Sequence, residues 1–260
     1  MAIKKYAFLA IALLTSAVKA DEDSCYKFYV GGDLGMGIFS INRYNDGNYN
    51  EFIDADYNDE SYSSSSKSVF IGGGRIGLAW NGSECWYAAI EGNVHSARGT
   101  SCSSSVSCFD YDNGTDASTN DRVRITIADK TNLIAGIHGH LGYKVNEDTV
   151  FYGIIGGKYL KGNYYQSFNF DENAVAHYLN INGYNTCYST WGWTAGFGMV
   201  ANLWCNWDLR LEALYAKFNN KCFNNNIDIS LASDDSIALV NNLKTTPRLF
   251  YGVVSLAYNF

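Results

Sequence analysis

The stretch Pro247-Arg248-Leu249-Phe250-Tyr251-Gly252-Val253-Val254-Ser255-Leu256-Ala257-Tyr258-Asn259-Phe260 alternates along its length. Phe250, Val254, Leu256, Tyr258 and Phe260 fall on one face, and Ser255, Ala257 and Asn259 fall on the other. A period of two is what a pleated strand imposes on its side chains. The large side chains share one face and the small or polar ones share the other, so this strand separates an apolar medium from a crowded, more polar one.

The same period recurs upstream in residues 26–39, 67–80, 86–98, 122–143, 149–162, 190–203 and 207–218. In 26–39, Phe28, Val30, Leu34, Met36 and Ile38 oppose Gly31, Asp33, Gly35 and Gly37. In 190–203, Trp193, Ala195, Phe197, Met199 and Leu203 oppose Thr194, Gly196, Gly198 and Asn202. In 207–218, Trp207, Leu209, Leu211 and Tyr215 oppose Asp208, Arg210 and Glu212. The connections alternate in length. Residues 81–85, 144–148 and 204–206 are tight, whereas the other four links are rich in Ser, Asn, Asp and Tyr and run to roughly 23 to 28 residues. Tight turns at one end and long loops at the other are the plan of a bacterial outer-membrane barrel, with turns in the periplasm and loops outside.

This reading predicts an all-β fold, an eight-stranded antiparallel up-and-down transmembrane barrel with four long extracellular loops. A soluble lipocalin-like barrel is the competing arrangement, and it would put the apolar face inside. Two features favour the membrane. The polar faces are dense in Gly, which suits a crowded interior. Trp80, Trp86, Tyr143, Phe151, Trp204, Trp207, Tyr258 and Phe260 gather near the turn end, as an interfacial aromatic girdle would.

The N-terminus reads as an export signal. Lys4 and Lys5 precede the apolar run 6–14, and Val18-Lys19-Ala20 offers a small-x-small cleavage site. Residues 1–20 are expected to be a cleaved signal peptide for the Sec pathway, and residues 21–260 the barrel. The apolar run is too short to span a bilayer as a helix. Cleavage removes three lysines, so the 19 Lys and Arg fall to 16 against 26 Asp and Glu, and the net charge moves from −7 to −10. That balance argues against a nucleic-acid partner.

The segments also resemble a known family. Phe28-Tyr29-Val30-Gly31-Gly32-Asp33-Leu34-Gly35 resembles the first strand of the opacity-type, OmpA-like eight-stranded barrels. Gly73-Gly74-Arg75-Ile76-Gly77-Leu78 resembles their second strand, Tyr87-Ala88-Ala89-Ile90-Glu91-Gly92 their third and Leu209-Arg210-Leu211-Glu212-Ala213 their seventh. Val254, Leu256, Tyr258 and Phe260 look like the C-terminal signal read by the barrel-assembly machinery. The resemblance implies adhesins, antigens and membrane-stabilising surface proteins, with no single activity. It also implies contact with outer-membrane lipid and lipopolysaccharide. A peptidoglycan-binding domain, which some relatives carry after the barrel, is not expected after 260.

Asp33, Arg75, Glu91, Asn93, His95, His138, His140, Lys158, Arg210 and Glu212 are placed on the inward faces. Eight strands leave room for little more than side chains, so these charges must pair with one another. A structural ion-pair network is expected, with a narrow conduit as the sharper alternative. His138 and His140 share a face and could touch one metal. No third ligand is evident at a matching place, so no metal or cofactor is assigned. His95 with Glu91 could form half of a lipid-modifying site, but no serine completes it, and a non-enzymatic protein is expected. Asp110–Asp121 partly resembles a calcium loop, with its Gly one place early and Asp at position 12, so a solvated acidic loop is expected. The Asn81-Gly82-Ser83 and Asn113-Gly114-Thr115 sequons carry little meaning in a bacterium.

The seven cysteines split by end. Cys102, Cys108, Cys187 and Cys222 fall on the loop side, and Cys25, Cys85 and Cys205 on the turn side. Centring the 204–206 turn on Cys205 makes opposed residues add to 410, which leaves Cys187 and Cys222 within one residue of facing each other. A Cys187–Cys222 bridge is therefore expected, with Cys102–Cys108 and Cys25–Cys85 as further pairs. The expected function is that of a monomeric surface protein whose barrel anchors loops for adhesion, recognition or envelope integrity, with a host or other surface ligand held by the loops. A narrow channel for small solutes is the alternative.

Overall fold

The computed structural model describes residues 26–49, 58–80, 85–111, 119–170, 184–204, 206–230 and 236–260. They form nine strands: β1 (Tyr26–Tyr49), β2 (Asn58–Trp80), β3 (Trp86–Tyr111), β4 (Thr119–Lys144), β5 (Thr149–Phe170), β6 (Tyr184–Trp204), β7 (Trp207–Phe218), β8 (Lys221–Ser230) and β9 (Ser236–Asn259). Each pairs antiparallel with its neighbours in the order β1-β2-β3-β4-β5-β6-β7-β9, and β9 returns to β1 to close the sheet. β8 lies on β9 beyond the end of β7, with Lys217 opposite Arg248 and Lys221 opposite Thr245. It is the continuation of β7 past a break at Asn219-Asn220, so the barrel has eight walls.

The turn-side limits of the strands agree with the sequence to within a residue. The loop-side limits do not. β1 and β2 stay paired to Asn48↔Asn58, and β3 and β4 to Tyr111↔Thr119. Much of what the sequence suggested as loop is ladder. Those stretches lack a continuous apolar outer face, because above the bilayer the outer face meets water. Two register shifts were also hidden, between Ser96 and Gly99 on β3 and between Thr131 and Leu133 on β4. A bulge of this kind moves the following residues to the other face. It brings Asp129 and Ile127 inward together with Ile134, His138 and His140.

The face assignment decides between membrane and soluble barrel. Ile155 and Phe197 are 72% and 71% exposed, and Leu34, Met36, Ile90, Val94, Ile137, Leu141 and Phe250 are exposed beside them. Asp33, Arg75, Glu91, Lys158, Arg210 and Glu212 are buried inside. A continuous apolar belt around a charged interior is stable only where the belt meets lipid. The girdle lies at the turn end: Trp86 packs edge-on against Tyr143 and Trp207 against Tyr258, with ring centres 6.2 and 5.2 Å apart. Phe260 joins this ring. Its amide donates to the carbonyl of Phe28 at 2.8 Å, and its ring sits 5.8 Å from that of Phe28 and 4.9 Å from that of Tyr258.

The expected Cys187–Cys222 and Cys102–Cys108 disulfides are corrected, and the third expected pair, Cys25–Cys85, includes a residue outside those described. Cys85, Cys102, Cys187 and Cys222 are exposed free thiols. The β6–β7 register is the expected one, Asn202↔Asp208 to Gly192↔Phe218. The ladder ends there, however, and β7 breaks before Cys222 is reached. Cys187 instead lies opposite Asn163 on β5, whose Oδ1 accepts from its Sγ at 3.7 Å, while Cys222 lies opposite Lys244 on β9. Cys102 and Cys108 sit on the same extended strand, opposite Ala128 and Arg122. At about 3.3 Å per residue they are some 20 Å apart, far beyond the roughly 7 Å limit for a bridge. Cys25 and Cys205 lie outside the described residues, as do the signal segment 1–20, both sequons and residues 112–118 of the calcium-like loop.

Candidate functional site in the barrel lumen

Inward-facing residues of the turn-side half come from strands far apart in sequence, and they meet around one guanidinium. Arg75 on β2 donates from Nε to Asp33 Oδ1 at 2.6 Å and from Nη1 to Glu91 Oε2 at 3.1 Å. It also donates from Nη1 and Nη2 to Glu212 Oε1 and Oε2, at 2.7 and 3.0 Å. The planar fork of arginine suits this bidentate grip. His95 Nε2 is 2.6 Å from Asp33 Oδ2. Asn93 bridges the other side: its Nδ2 donates to Glu91 Oε1 at 3.2 Å, and its Oδ1 accepts from Lys158 Nζ at 2.9 Å. Arg210 lies 3.7 Å from Glu91 and 3.7 Å over the ring of Tyr29. The ten residues placed on the inward faces from the sequence are all buried.

The tyrosines of the lumen are what sequence reading missed. Tyr29 donates to Glu91 Oε2 at 3.0 Å, and Tyr152 to Glu212 Oε1 at 2.7 Å. Lys158 lies 5.3 Å over the ring of Tyr251. Their placement at inward positions was the available signal, but aromatic residues on a barrel wall read first as lipid-facing. Each large ring needs a gap at the residue paired with it on the neighbouring strand. A Cβ at Gly77 would overlap the Tyr29 ring, and one at Gly198 would come within 2.7 Å of Tyr152. Both gaps depend on residues without side chains.

Above the network the lumen turns apolar, contrary to the expected small and polar filling. Phe39, Ile41, Ile71, Ile134, Leu160 and Leu249 are essentially inaccessible and form an apolar layer. Above this layer, Arg43 donates to Asp129 Oδ2 from Nη2 at 2.6 Å and to Ser65 Oγ from Nη1 at 2.8 Å. Tyr164 stacks on Phe223 at 4.4 Å, and Tyr188 meets Phe223 edge-on. Burial raises the Asp129 carboxyl above its ordinary value, and the Arg43 charge opposes that shift. The loop side therefore has a core of its own.

The network borders His138, and His140 lies one step nearer the turn end. Glu91 and His138 are direct partners across β3 and β4, as are Ala89 and His140. His140 stacks on Tyr152 at 4.9 Å. His138 Nε2 and both ring nitrogens of His140 are buried and have no hydrogen-bond partner.

An apolar belt, an aromatic girdle at the turn end and a lumen closed by paired charge define a transmembrane barrel of the bacterial outer membrane. The chain belongs to the outer membrane protein beta-barrel domain family, whose model matches residues 6–233. Among solved structures, it is similar to Ail, the attachment invasion locus protein of Yersinia pestis, with 11% identity over 86% of this chain and 98% of that one and a TM-score of 0.26. It is also similar to the outer membrane protease OmpT of Escherichia coli, with 12% identity, 89% and 97% coverage and a TM-score of 0.39. Neisserial surface protein A gives 12%, 90% and 97%, and 0.29. A search of the curated proteins finds no significant match.

Proposed function

We propose that this is a non-enzymatic surface protein, in which the barrel is an anchor and the loop-side ribbons carry recognition. The observation behind this reading is the filled lumen. A buried ion-pair network and an apolar layer lie in series, so an ion crossing the barrel would have to break the first and dehydrate in the second. A rigid scaffold carrying exposed variable connections is the usual design for binding. On this reading residues 1–20 are removed during Sec export, and the Val254–Phe260 face is read by the barrel-assembly machinery. The mature protein is a monomer in lipid and lipopolysaccharide. Its ribbons meet a ligand on a host or another surface.

Planar-bilayer recording tests the closed lumen. The purified protein is expected to give no steady conductance of porin size, since aqueous pores of that kind need about 16 strands. A stable, large conductance would establish the channel alternative. Cells displaying the intact protein, but not a variant with shortened ribbons, are expected to bind immobilised host matrix or glycans. Equal binding by both would remove the recognition role.

A further inference from the structure

We propose that Glu91, His138 and His140 form a lumenal binding site for a first-row divalent transition metal such as Zn2+. Each of the three offers one ligand atom, and these atoms lie within 4.8 Å of one another. All three side chains are buried. Two imidazoles and one carboxylate are a ligand set that suits Zn2+, Cu2+, Ni2+ or Fe2+ and disfavours Ca2+ or Mg2+, which take oxygen ligands.

Two further features point to a ligand. Buried polar atoms are almost always hydrogen-bonded, yet neither nitrogen of His140 has a partner, nor does Nε2 of His138. These are lone pairs or N–H groups held ready without use. The two oxygens of Glu91 are also unequally occupied. Oε2 takes Arg75 and Tyr29, whereas Oε1 takes only the Asn93 amide and lies 4.0 Å from His138 Nδ1. Oε1 thus retains acceptor capacity on the side of the histidines.

The geometry needs a modest adjustment. With Zn–N and Zn–O bonds near 2.0–2.2 Å, tetrahedral ligand atoms sit roughly 3.3 Å apart, so the cluster closes by up to about 1.5 Å through rotation of its side chains. Tyr152, stacked on His140, holds that ring, while the Asn93 amide donates to His138 Nδ1 at 3.0 Å, a contact that a metal at Nδ1 would replace. The site lies nearer the turn side, since His140 is four residues before the end of β4.

The test uses the full mature protein without a histidine tag, folded in detergent, with exposed thiols alkylated. Titration with Zn2+ by calorimetry is expected to show one saturable equivalent. Co2+ is expected to give a ligand-field spectrum with no thiolate charge-transfer band. His140→Phe keeps the stack on Tyr152 and is expected to fold with normal heat-modifiable mobility, while weakening Zn2+ by more than about tenfold. Cu2+ bound to the wild-type protein is expected to show coupling to two imidazole nitrogens by electron paramagnetic resonance, a readout that requires no variant. Absence of a saturable equivalent, unchanged affinity in His140→Phe, or coupling to fewer than two nitrogens would overturn the proposal.

Discussion

Arg75 on β2 and Glu212 on β7 meet across the lumen in a two-pronged ion pair, 2.7 and 3.0 Å long, although 137 residues separate them. No backbone ladder joins those two strands. The pair therefore acts as a cross-brace, and it holds distant walls at a fixed spacing.

Removing one end of that brace strands a buried charge. Glu212→Ala is expected to destabilise the barrel by about 3–5 kcal/mol, because Arg75 and Tyr152 lose their acceptor inside a low-dielectric lumen. Tyr152→Phe, which removes one hydrogen bond to the same carboxylate, is expected to cost about 1.5–3 kcal/mol. Urea midpoints in lipid vesicles, followed by tryptophan fluorescence, measure both. A Glu212→Ala midpoint equal to wild type would show that the brace does not support the fold.

The gap at Gly198 gives a packing test. A Cβ there would lie 2.7 Å from the Tyr152 ring and 2.9 Å from Glu212 Cγ. Gly198→Ala is expected to cost about 1–3 kcal/mol by overpacking. In a Tyr152→Ala background the same change is expected to cost less, with a coupling of at least about 0.5 kcal/mol. Additive losses would mean that ring and gap are unrelated.

The free thiols report topology. Cys187 and Cys222 are on the loop side, and Cys85 is at the turn end. A membrane-impermeant maleimide is expected to label Cys187 and Cys222 on intact cells without prior reduction. Cys85 should react only after the outer membrane is opened. Labelling of Cys187 and Cys222 solely after reductant would restore the disulfide expected from the sequence. Reaction of Cys85 on intact cells would reverse the orientation.

Phe260 both extends the girdle and bonds to Phe28. Phe260→Asp is expected to abolish outer-membrane insertion, since it places a charge at the interface and damages the proposed assembly signal. Heat-modifiable gel mobility of the membrane fraction checks this. A normal amount of folded barrel would refute it.

The turn-side half of the barrel was legible in the sequence because lipid and lumen impose opposite demands on alternate residues there. That contrast sets the strand starts at Tyr26, Trp86 and Trp207 and the inward placing of Asp33, Arg75 and Glu212. On the loop side, water lies outside and the contrast vanishes, so ladder looks like loop. The partnership of Glu91 with His138 was hidden for another reason. Short turns fix register between β2 and β3, β4 and β5, and β6 and β7. β3 and β4 are joined by a long connection, and nothing local says which residues of the two strands face each other. The ion pair of Arg43 with Asp129 was concealed by the bulge near Thr131, which reverses the alternation between Asp129 and His138.

The β1–β9 seam sets the order in which the molecule can form. It pairs Tyr29 with Asn259 and continues up to Tyr49 opposite Leu239, so every contact in it joins opposite ends of the chain. Contacts that distant in sequence form slowly, because the intervening chain must be gathered first. Until they form, β1 and β9 are two open edges, each 24 residues long. An unpaired edge of that length is a template for any strand that reaches it, another copy of this chain included. Folding is therefore a race between self-closure and polymerisation, and passage through the periplasm depends on keeping those two edges apart until lipid surrounds the belt.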